Sequence, residues 1–151
     1  MSKRHAAVVA AMVLGIVSAW SISAYARNDV LMLSIADALK DPAFADRVPT
    51  GVDFYFANQQ PPKPGTSLGD VELKAKRKKL QQTDEYNCRM ALMAVLDGFK
   101  EKVAAAGGNA VGNIVSYYKK QPTGTDTEYQ CNAGGSGGVV WLKGTVLKVE
   151  K

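Results

Sequence analysis

The sequence predicts an α+β protein: a mostly antiparallel sheet of about four to five strands covered by one long helix. This is a two-layer sandwich, to which a short N-terminal helix is added. Apolar residues at steps of three and four run from Cys88 to Ala106, as in an amphipathic helix. Short stretches of alternating apolar residues lie on both sides of it, and short turns between the later ones favour antiparallel pairing. One helix can cover one face of such a sheet.

The chain begins with a segment that is typical of a signal peptide. Lys3 and Arg4 form a basic start, the apolar run "AAVVAAMVLGIVSAW" follows, and Ala24 and Ala26 have the A-x-A spacing that a signal peptidase recognises. The alternative is a membrane anchor, but the run is shorter than the roughly 18 apolar residues of a spanning helix. We therefore predict a signal peptide at 1–26 and a periplasmic or secreted location.

Residues 27–151 are predicted to form one α+β domain. They carry 17 basic and 14 acidic side chains, a net charge of +3. The only histidine of the chain is His5, which excludes Ser–His–Asp and Cys–His catalysis and histidine-containing zinc sites from this domain. We predict no catalytic residue, no cofactor and no metal. The alternative enzyme class is a carboxylate- or metal-dependent hydrolase with oxygen ligands.

A strand start, a short helix and a second strand are predicted between residues 30 and 58. Residues 30–35 form an apolar stretch that can start a strand. Ser34 can cap a short helix that Pro42 limits. The stretch "GVDFYFAN" at 51–58 alternates between apolar and polar residues, which indicates a strand.

A loop and a basic strand follow. Residues 58–70 contain three prolines and two glycines, which predicts a loop. From Val71, apolar and charged residues alternate, so we predict a strand that continues as a basic extension. Its cations can bind an anionic ligand, or they can be a solvated strand end that discourages edge-to-edge pairing. These possible anion-binding residues are Lys74, Lys76, Arg77, Lys78 and Lys79.

The long helix is predicted to begin at Thr83 or Asp84, either of which can act as its N-cap. It is predicted to end at Gly107 or Gly108, because glycine adopts the left-handed conformation that terminates helices. Its apolar stripe consists of Cys88, Leu92, Val95, Leu96, Phe99, Val103 and Ala106.

Three strands are predicted after the helix, at 109–120, 127–133 and 139–149. Residues 121–126 have the composition of a turn. The glycine-rich segment at 134–138 is interpreted as a turn, with an anion-binding nest as the alternative. The aromatic residues of these strands can form a stacking surface on the open sheet face. We predict instead that they pack against the helix, the N-terminal segment or cross-strand neighbours. The aromatic residues concerned are Tyr117, Tyr118, Tyr129 and Trp141.

The two cysteines, Cys88 and Cys131, are predicted to form a structural disulfide between helix and sheet. Each lies on the apolar side of its element, in a chain expected to reach an oxidising compartment. A redox pair is the alternative, but the C-x-x-C spacing and a histidine that would lower a thiol pKa are missing. A soft metal would need more than two ligands.

The stretches "AAAGGNAVGNIVSYYKK", "EYQC" and "VWLKGTVLKV" resemble the YbjQ/RcsF-like fold over residues 84–151. This resemblance implies a helix-covered sheet, an envelope role and a cysteine pair that joins the helix region to the "EYQC" strand. The chain differs from the lipoproteins of this group because no cysteine lies near the predicted cleavage site. Residues 27–151 also resemble a family of small secreted proteins of unknown function that often carry the label "excinuclease ATPase subunit". No G-x-x-x-x-G-K-[ST] motif occurs, so we predict no nucleotide.

The predicted function is that of a non-enzymatic periplasmic or secreted module that binds a ligand or senses the envelope through its surface. The alternative is binding of a polyanion or membrane surface through the basic strand at 74–79. The expected partner is an envelope protein or an anionic surface. Nucleic acid is not expected, because the basic run has few interleaved aromatic residues and the net charge is small.

Overall fold

A computed structural model describes residues 26–78 and 82–150. The predicted signal peptide, except for Ala26, and the predicted binding residue Lys79 lie outside these ranges. The helices are α1 (Ile35–Lys40) and α2 (Asp84–Ala106), and short 3-10 turns occur at Pro42–Phe44 and Tyr118–Lys120. The strands are β1 (Asp29–Ser34), β2 (Asp53–Phe56), β3 (Gly65–Arg77), β4 (Ala110–Ser116), β5 (Glu128–Gly134) and β6 (Gly137–Val149).

Strand β6 is the centre of a six-stranded sheet. One edge of β6 pairs with β3 from Gly138 to Val149. Its other edge pairs with β5 near its start and with β4 near its end. The remaining strands are outer ones, since β1 pairs with β5 and β2 pairs with β4. The helix α2 packs across β6, β3 and β5 on one face of this sheet.

The α+β class and the one main helix are confirmed, and the sheet is mostly antiparallel as predicted. It has six strands rather than four to five, and it is mixed and curled rather than the layer of a simple antiparallel sandwich. The sheet is mixed, because β2 pairs with β4 in parallel. The connection between these two strands contains β3 and α2, and it is long enough for the crossover that parallel pairing requires. Bulges in β2, β3 and β4 bend the strands and curl the sheet.

Two predicted boundaries are also corrected. Of the predicted loop at 58–70, the part Gly65–Asp70 belongs to β3, where Gly65 pairs with Val149 at the end of β6. Pairing with a long neighbouring strand overrides the loop-like composition there. The strand predicted at 109–120 ends at Ser116, and the chain then turns away from the sheet.

Helix α2 has both predicted ends. The Thr83 hydroxyl accepts a hydrogen bond from the Tyr86 N–H at 3.2 Å, which satisfies one free donor of the first turn. At the other end Gly107 has φ +74°, and the Gly108 N–H donates to the Val103 carbonyl at 2.9 Å. This is the left-handed glycine termination that the sequence predicted.

The core lies between α2 and the sheet. Phe99 is fully buried in the middle of the helix, and the predicted stripe faces the sheet except for Ala106. Ala106 is exposed at the C-terminal end of α2. The fully buried core side chains include Leu92, Leu96, Phe99, Cys131, Val140 and Leu142.

The disulfide between Cys88 and Cys131 is present, as predicted. It joins α2 to β5 with a Cα–Cα distance of 5.8 Å, and both residues are fully buried. The β5–β6 hairpin lies tightly against it: a Cβ atom at Gly138 would lie 3.1 Å from the Cys88 nitrogen and 3.2 Å from its sulfur. A bond so enclosed cannot meet a reductant or a partner thiol without opening of the core, which favours the structural role over the redox alternative.

Candidate functional site

The sheet face opposite α2, which we call the open face, carries a concentration of charged and aromatic side chains. Along β6 the even-numbered residues from Val140 to Val146 are buried against the helix. Trp141, Lys143 and Thr145 point the other way, because side chains alternate along a strand. On β3 the register places Lys74 opposite Trp141. The open face is therefore built by two long strands paired in a fixed register.

Six residues of this face form what we call the lysine–tryptophan cluster: Glu72, Lys74, Tyr117, Lys120, Trp141 and Lys143. The rings of Tyr117 and Trp141 meet edge to face, with centroids 6.3 Å apart. The ammonium groups of Lys74 and Lys120 each lie 5.1 Å from the Trp141 ring centroid, and that of Lys143 lies 5.4 Å from the Tyr117 centroid. These distances are in the range of cation–π attraction.

Glu72 is the carboxylate of the cluster. Its Oε1 atom accepts a hydrogen bond from Lys120 Nζ at 2.6 Å and another from Trp141 Nε1 at 2.8 Å. The hydrogen bond from Lys120 lowers the pKa of Glu72 most; partial desolvation opposes it and the bond from Trp141 adds to it. Because exposed ion pairs contribute little to folding stability, we expect this arrangement to add only a little to the stability of the fold.

Lys120 reaches the cluster through an uncommon backbone conformation. Lys119 and Lys120 have φ values of +51° and +64°, in the left-handed region that residues with a Cβ atom avoid. Each such residue costs about 1–2 kcal/mol relative to the right-handed conformation. The turn is fixed by hydrogen bonds such as that from the Lys120 N–H to the Tyr117 carbonyl at 3.0 Å. The strained backbone conformation of this turn thus places the Lys120 ammonium group beside Glu72 and Trp141.

A groove of about 400 Å³ lies beside the cluster, with Lys120, Lys143 and Thr145 in its wall. A second groove, of about 460 Å³, runs between β4 and the proline-rich segment that precedes β3. The two grooves share Asn113, an exposed residue at the bulge of β4 with φ +52°. Asn113 therefore borders both grooves, and each of them is open to solvent rather than an enclosed cavity.

The predicted anion-binding residues are divided between the two faces of the sheet. Lys74 and Lys76 lie on the open face, and Lys76 with Lys78 borders a shallow cleft at the β5–β6 turn. Arg77 lies on the other side, in a cleft that α2 lines with Met93. The strand alternation that buries Val71 and Leu73 against the helix causes this division.

Sequence reasoning missed Glu72, Lys120 and Lys143 as members of this site. The alternation in "VELKAK" places Glu72 and Lys74 on the same face of their strand. The alternation in "VVWLKGTV" likewise places Trp141 and Lys143 on the same face of theirs. Their meeting depends on the β3–β6 register, and the sequence does not specify that register. Lys120 was assigned to a strand, and nothing in the sequence indicates the turn that brings it back to the sheet.

The aromatic residues divide in a similar way. Tyr129 lies in the core, and burial raises its pKa far above the ordinary value. Within the described ranges its hydroxyl has no hydrogen-bond partner. Tyr117 and Trp141 contact each other across strands and belong to the open face. The burial of Tyr129 and the contact between Tyr117 and Trp141 agree with the packing interpretation, and the stacking surface on the open face stays a prediction.

Among the side chains that the structure describes, no three His, Cys, Asp or Glu groups are arranged to hold a metal ion. No helix in residues 26–78 or 82–150 is long and apolar enough to cross a membrane. Comparison with known proteins found no matching family model, no matching curated protein and no matching solved structure. The resemblance to the YbjQ/RcsF-like fold therefore stays a prediction.

The lowered pKa of Glu72 gives a pH-dependent signal at Trp141. A carboxylate with a lowered folded-state pKa contributes stability above its unfolded pKa and loses it as the pH falls through the folded value. We expect the indole N–H resonance of Trp141 to shift in NMR spectra with a midpoint below the ordinary glutamate pKa of 4.5. The variant Glu72→Gln should lack this transition. A midpoint at or above 4.5 would contradict the hydrogen-bonded arrangement.

Proposed function

We propose that the chain is a periplasmic or secreted, non-enzymatic module that binds a polyanionic ligand on the open face of its sheet. The observation that carries this proposal is the lysine–tryptophan cluster, where the ammonium groups of Lys74, Lys120 and Lys143 converge on two aromatic rings. The predicted signal peptide and the buried disulfide support a location outside the cytoplasm.

Positive charge exceeds negative charge on this face. Glu72 forms an ion pair with Lys120, and Asp70 lies 3.9 Å from Lys143. In the described part of the chain Lys74 takes part in no salt bridge, and Lys76 extends the positive surface toward the β5–β6 turn. Such a surface attracts anionic ligands and raises their rate of association.

A polymer fits this face better than a membrane surface does. Lys120 and Lys143 line a groove, which can receive a single extended chain. Peripheral membrane binding through a basic surface is usually accompanied by apolar side chains that enter the bilayer interface. None of the large apolar side chains exposed in the described ranges belongs to the lysine–tryptophan cluster: Val30 and Met32 lie on the outer strand β1, and Leu68 lies near the start of β3.

The environment of Glu72 supports a binding role more than a hydrolytic one. A general acid needs a raised pKa, whereas hydrogen bonds from Lys120 and Trp141 lower that of Glu72. The other carboxylate of this face, Asp70, accepts a hydrogen bond from the Thr145 hydroxyl at 3.0 Å. Both acids are thus engaged by donors of the fold. A role in envelope sensing remains part of the proposal through the resemblance to the YbjQ/RcsF-like fold.

Salt-dependent binding tests this proposal. We expect the protein to be retained on a heparin matrix at low ionic strength and released as the salt concentration rises. In the double variant Lys74→Gln/Lys143→Gln, the slope of the logarithm of affinity against the logarithm of salt concentration should fall by about 1 to 2, one unit or less per lost contact. The affinity of this double variant for heparin should also fall.

The matched control is Arg77→Gln/Lys102→Gln, which removes the same charge from the side of α2. It should change the slope by less than half as much. Equal effects of the two double variants would contradict binding at the open face, as would no retention of the unmodified protein. Stronger binding to vesicles of equal parts phosphatidylglycerol and phosphatidylcholine than to heparin would indicate that the ligand is a membrane surface and not a polymer.

A further inference from the structure

The cluster already contains a bound anionic group, which is the side chain of Glu72. This residue lies on the outer strand β3, whereas its donors come from elsewhere: Lys120 from the turn after β4 and Trp141 from β6. An ammonium and an indole N–H thus converge on one carboxylate oxygen. The structure thereby demonstrates that this pair of donors accommodates a carboxylate.

This carboxylate is accessible to competitors. The Glu72 side chain is 33% exposed and the Lys120 side chain 60% exposed, so neither is enclosed by the fold. Exchange of one carboxylate for another at such a site conserves charge and hydrogen bonds, and therefore has a small free-energy cost. Lys74, which takes part in no salt bridge in the described ranges, adds attraction for an incoming anion, and Lys143 is only loosely paired, at 3.9 Å from Asp70.

The surroundings indicate a ligand that also carries neutral hydrogen-bonding groups. The groove beside the cluster is lined by Thr145 and the exposed residue Asn113, and a neighbouring groove, which also has Asn113 in its wall, is lined by Gln60 beside the prolines. Neutral amide and hydroxyl side chains can hydrogen-bond the hydroxyl groups of sugars. A chain of sugars with carboxylate groups matches both parts of this surface.

We propose that Glu72 acts as an internal competitor, whose carboxylate occupies the subsite for a carboxylate of an acidic polysaccharide and is displaced when that ligand binds. This inference rests on the proposed polyanion-binding function. It adds the class of ligand, the two donors that recognise its acidic group, and a residue that holds affinity down in the free protein.

Alginate, a polymer of uronic acids, is the probe for the test, with uncharged dextran as the blank and dextran sulfate as the comparison. The full chain should bind alginate, and Glu72→Gln should bind it about three- to tenfold more tightly. The matched control is Asp70→Asn, which removes the same charge from the same face of β3. Asp70 accepts its hydrogen bond from Thr145, and not from Lys120 or Trp141. Its gain in affinity should be less than half as large.

The outcomes separate the inference from the proposed function. Alginate binding by the unmodified chain with equal gains in both variants would overturn the inference and leave polyanion binding intact. A gain for dextran sulfate as large as that for alginate would overturn the assignment to carboxylates. No binding of any polyanion would overturn both. The unmodified protein offers a further measurement: alginate should shift the indole N–H resonance of Trp141. An unchanged resonance at saturation would contradict displacement of Glu72.

Discussion

Loss of the Cys88–Cys131 disulfide should lower the free energy of unfolding by about 4 kcal/mol, the largest effect expected from a covalent change in this protein. The two residues are 43 positions apart, and the chain-entropy relation gives this value for a loop of that length. Because both sulfurs are fully buried, alanine is the better replacement, since serine would bury an unpaired hydroxyl group. Denaturant unfolding of Cys88→Ala, Cys131→Ala and the double variant measures the loss.

A shared bond can be lost only once, so the double variant should be little less stable than either single variant. Losses that add in the double variant would show that each cysteine contributes through packing alone. Two free thiols in the denatured, unreduced protein would contradict the disulfide itself. Reductant should act on the native protein only at the rate of core opening, because both cysteines are enclosed by α2 and the β5–β6 hairpin.

The second large effect is expected for Phe99→Ala, which should destabilise the protein by about 3–5 kcal/mol. Phe99 is fully buried between α2 and the sheet, so its removal leaves a cavity that the neighbouring side chains cannot fill. The control is Glu101→Ala on the exposed side of the same helix, which should change stability by less than about 0.5 kcal/mol. Equal shifts of the denaturant midpoint in these variants would contradict the packing of α2.

Local sequence signals predicted the parts of the fold that depend on neighbouring residues. The capping threonine, the apolar stripe and the terminal glycine determine α2, and each acts within one or two helical turns. The alternation of β5 likewise placed Cys131 on the face toward the core. Because α2 must bury its stripe on the sheet, these local patterns favoured a contact between Cys88 and Cys131.

The failures concern pairing between distant segments. Gly65 and Gly69 indicate a loop locally, yet β6 supplies a partner for the whole of β3. The short strand β2 carries no mark that distinguishes a parallel partner from an antiparallel one, and its place beside β4 follows only from the complete topology. The site is hidden for the same reason, since Glu72 and Trp141 are 69 positions apart and meet through the register of β3 and β6.

Resonance mapping tests most directly the claim that the open face binds anions. Isotope-labelled protein would be titrated with alginate at low salt, and amide and indole shifts followed by NMR. We predict that the largest shifts occur at Lys74, Tyr117, Lys120, Trp141 and Lys143, with small changes along the exposed side of α2. Shifts concentrated around Arg77 and Met93 on the helix side, or no shifts at all, would contradict this account.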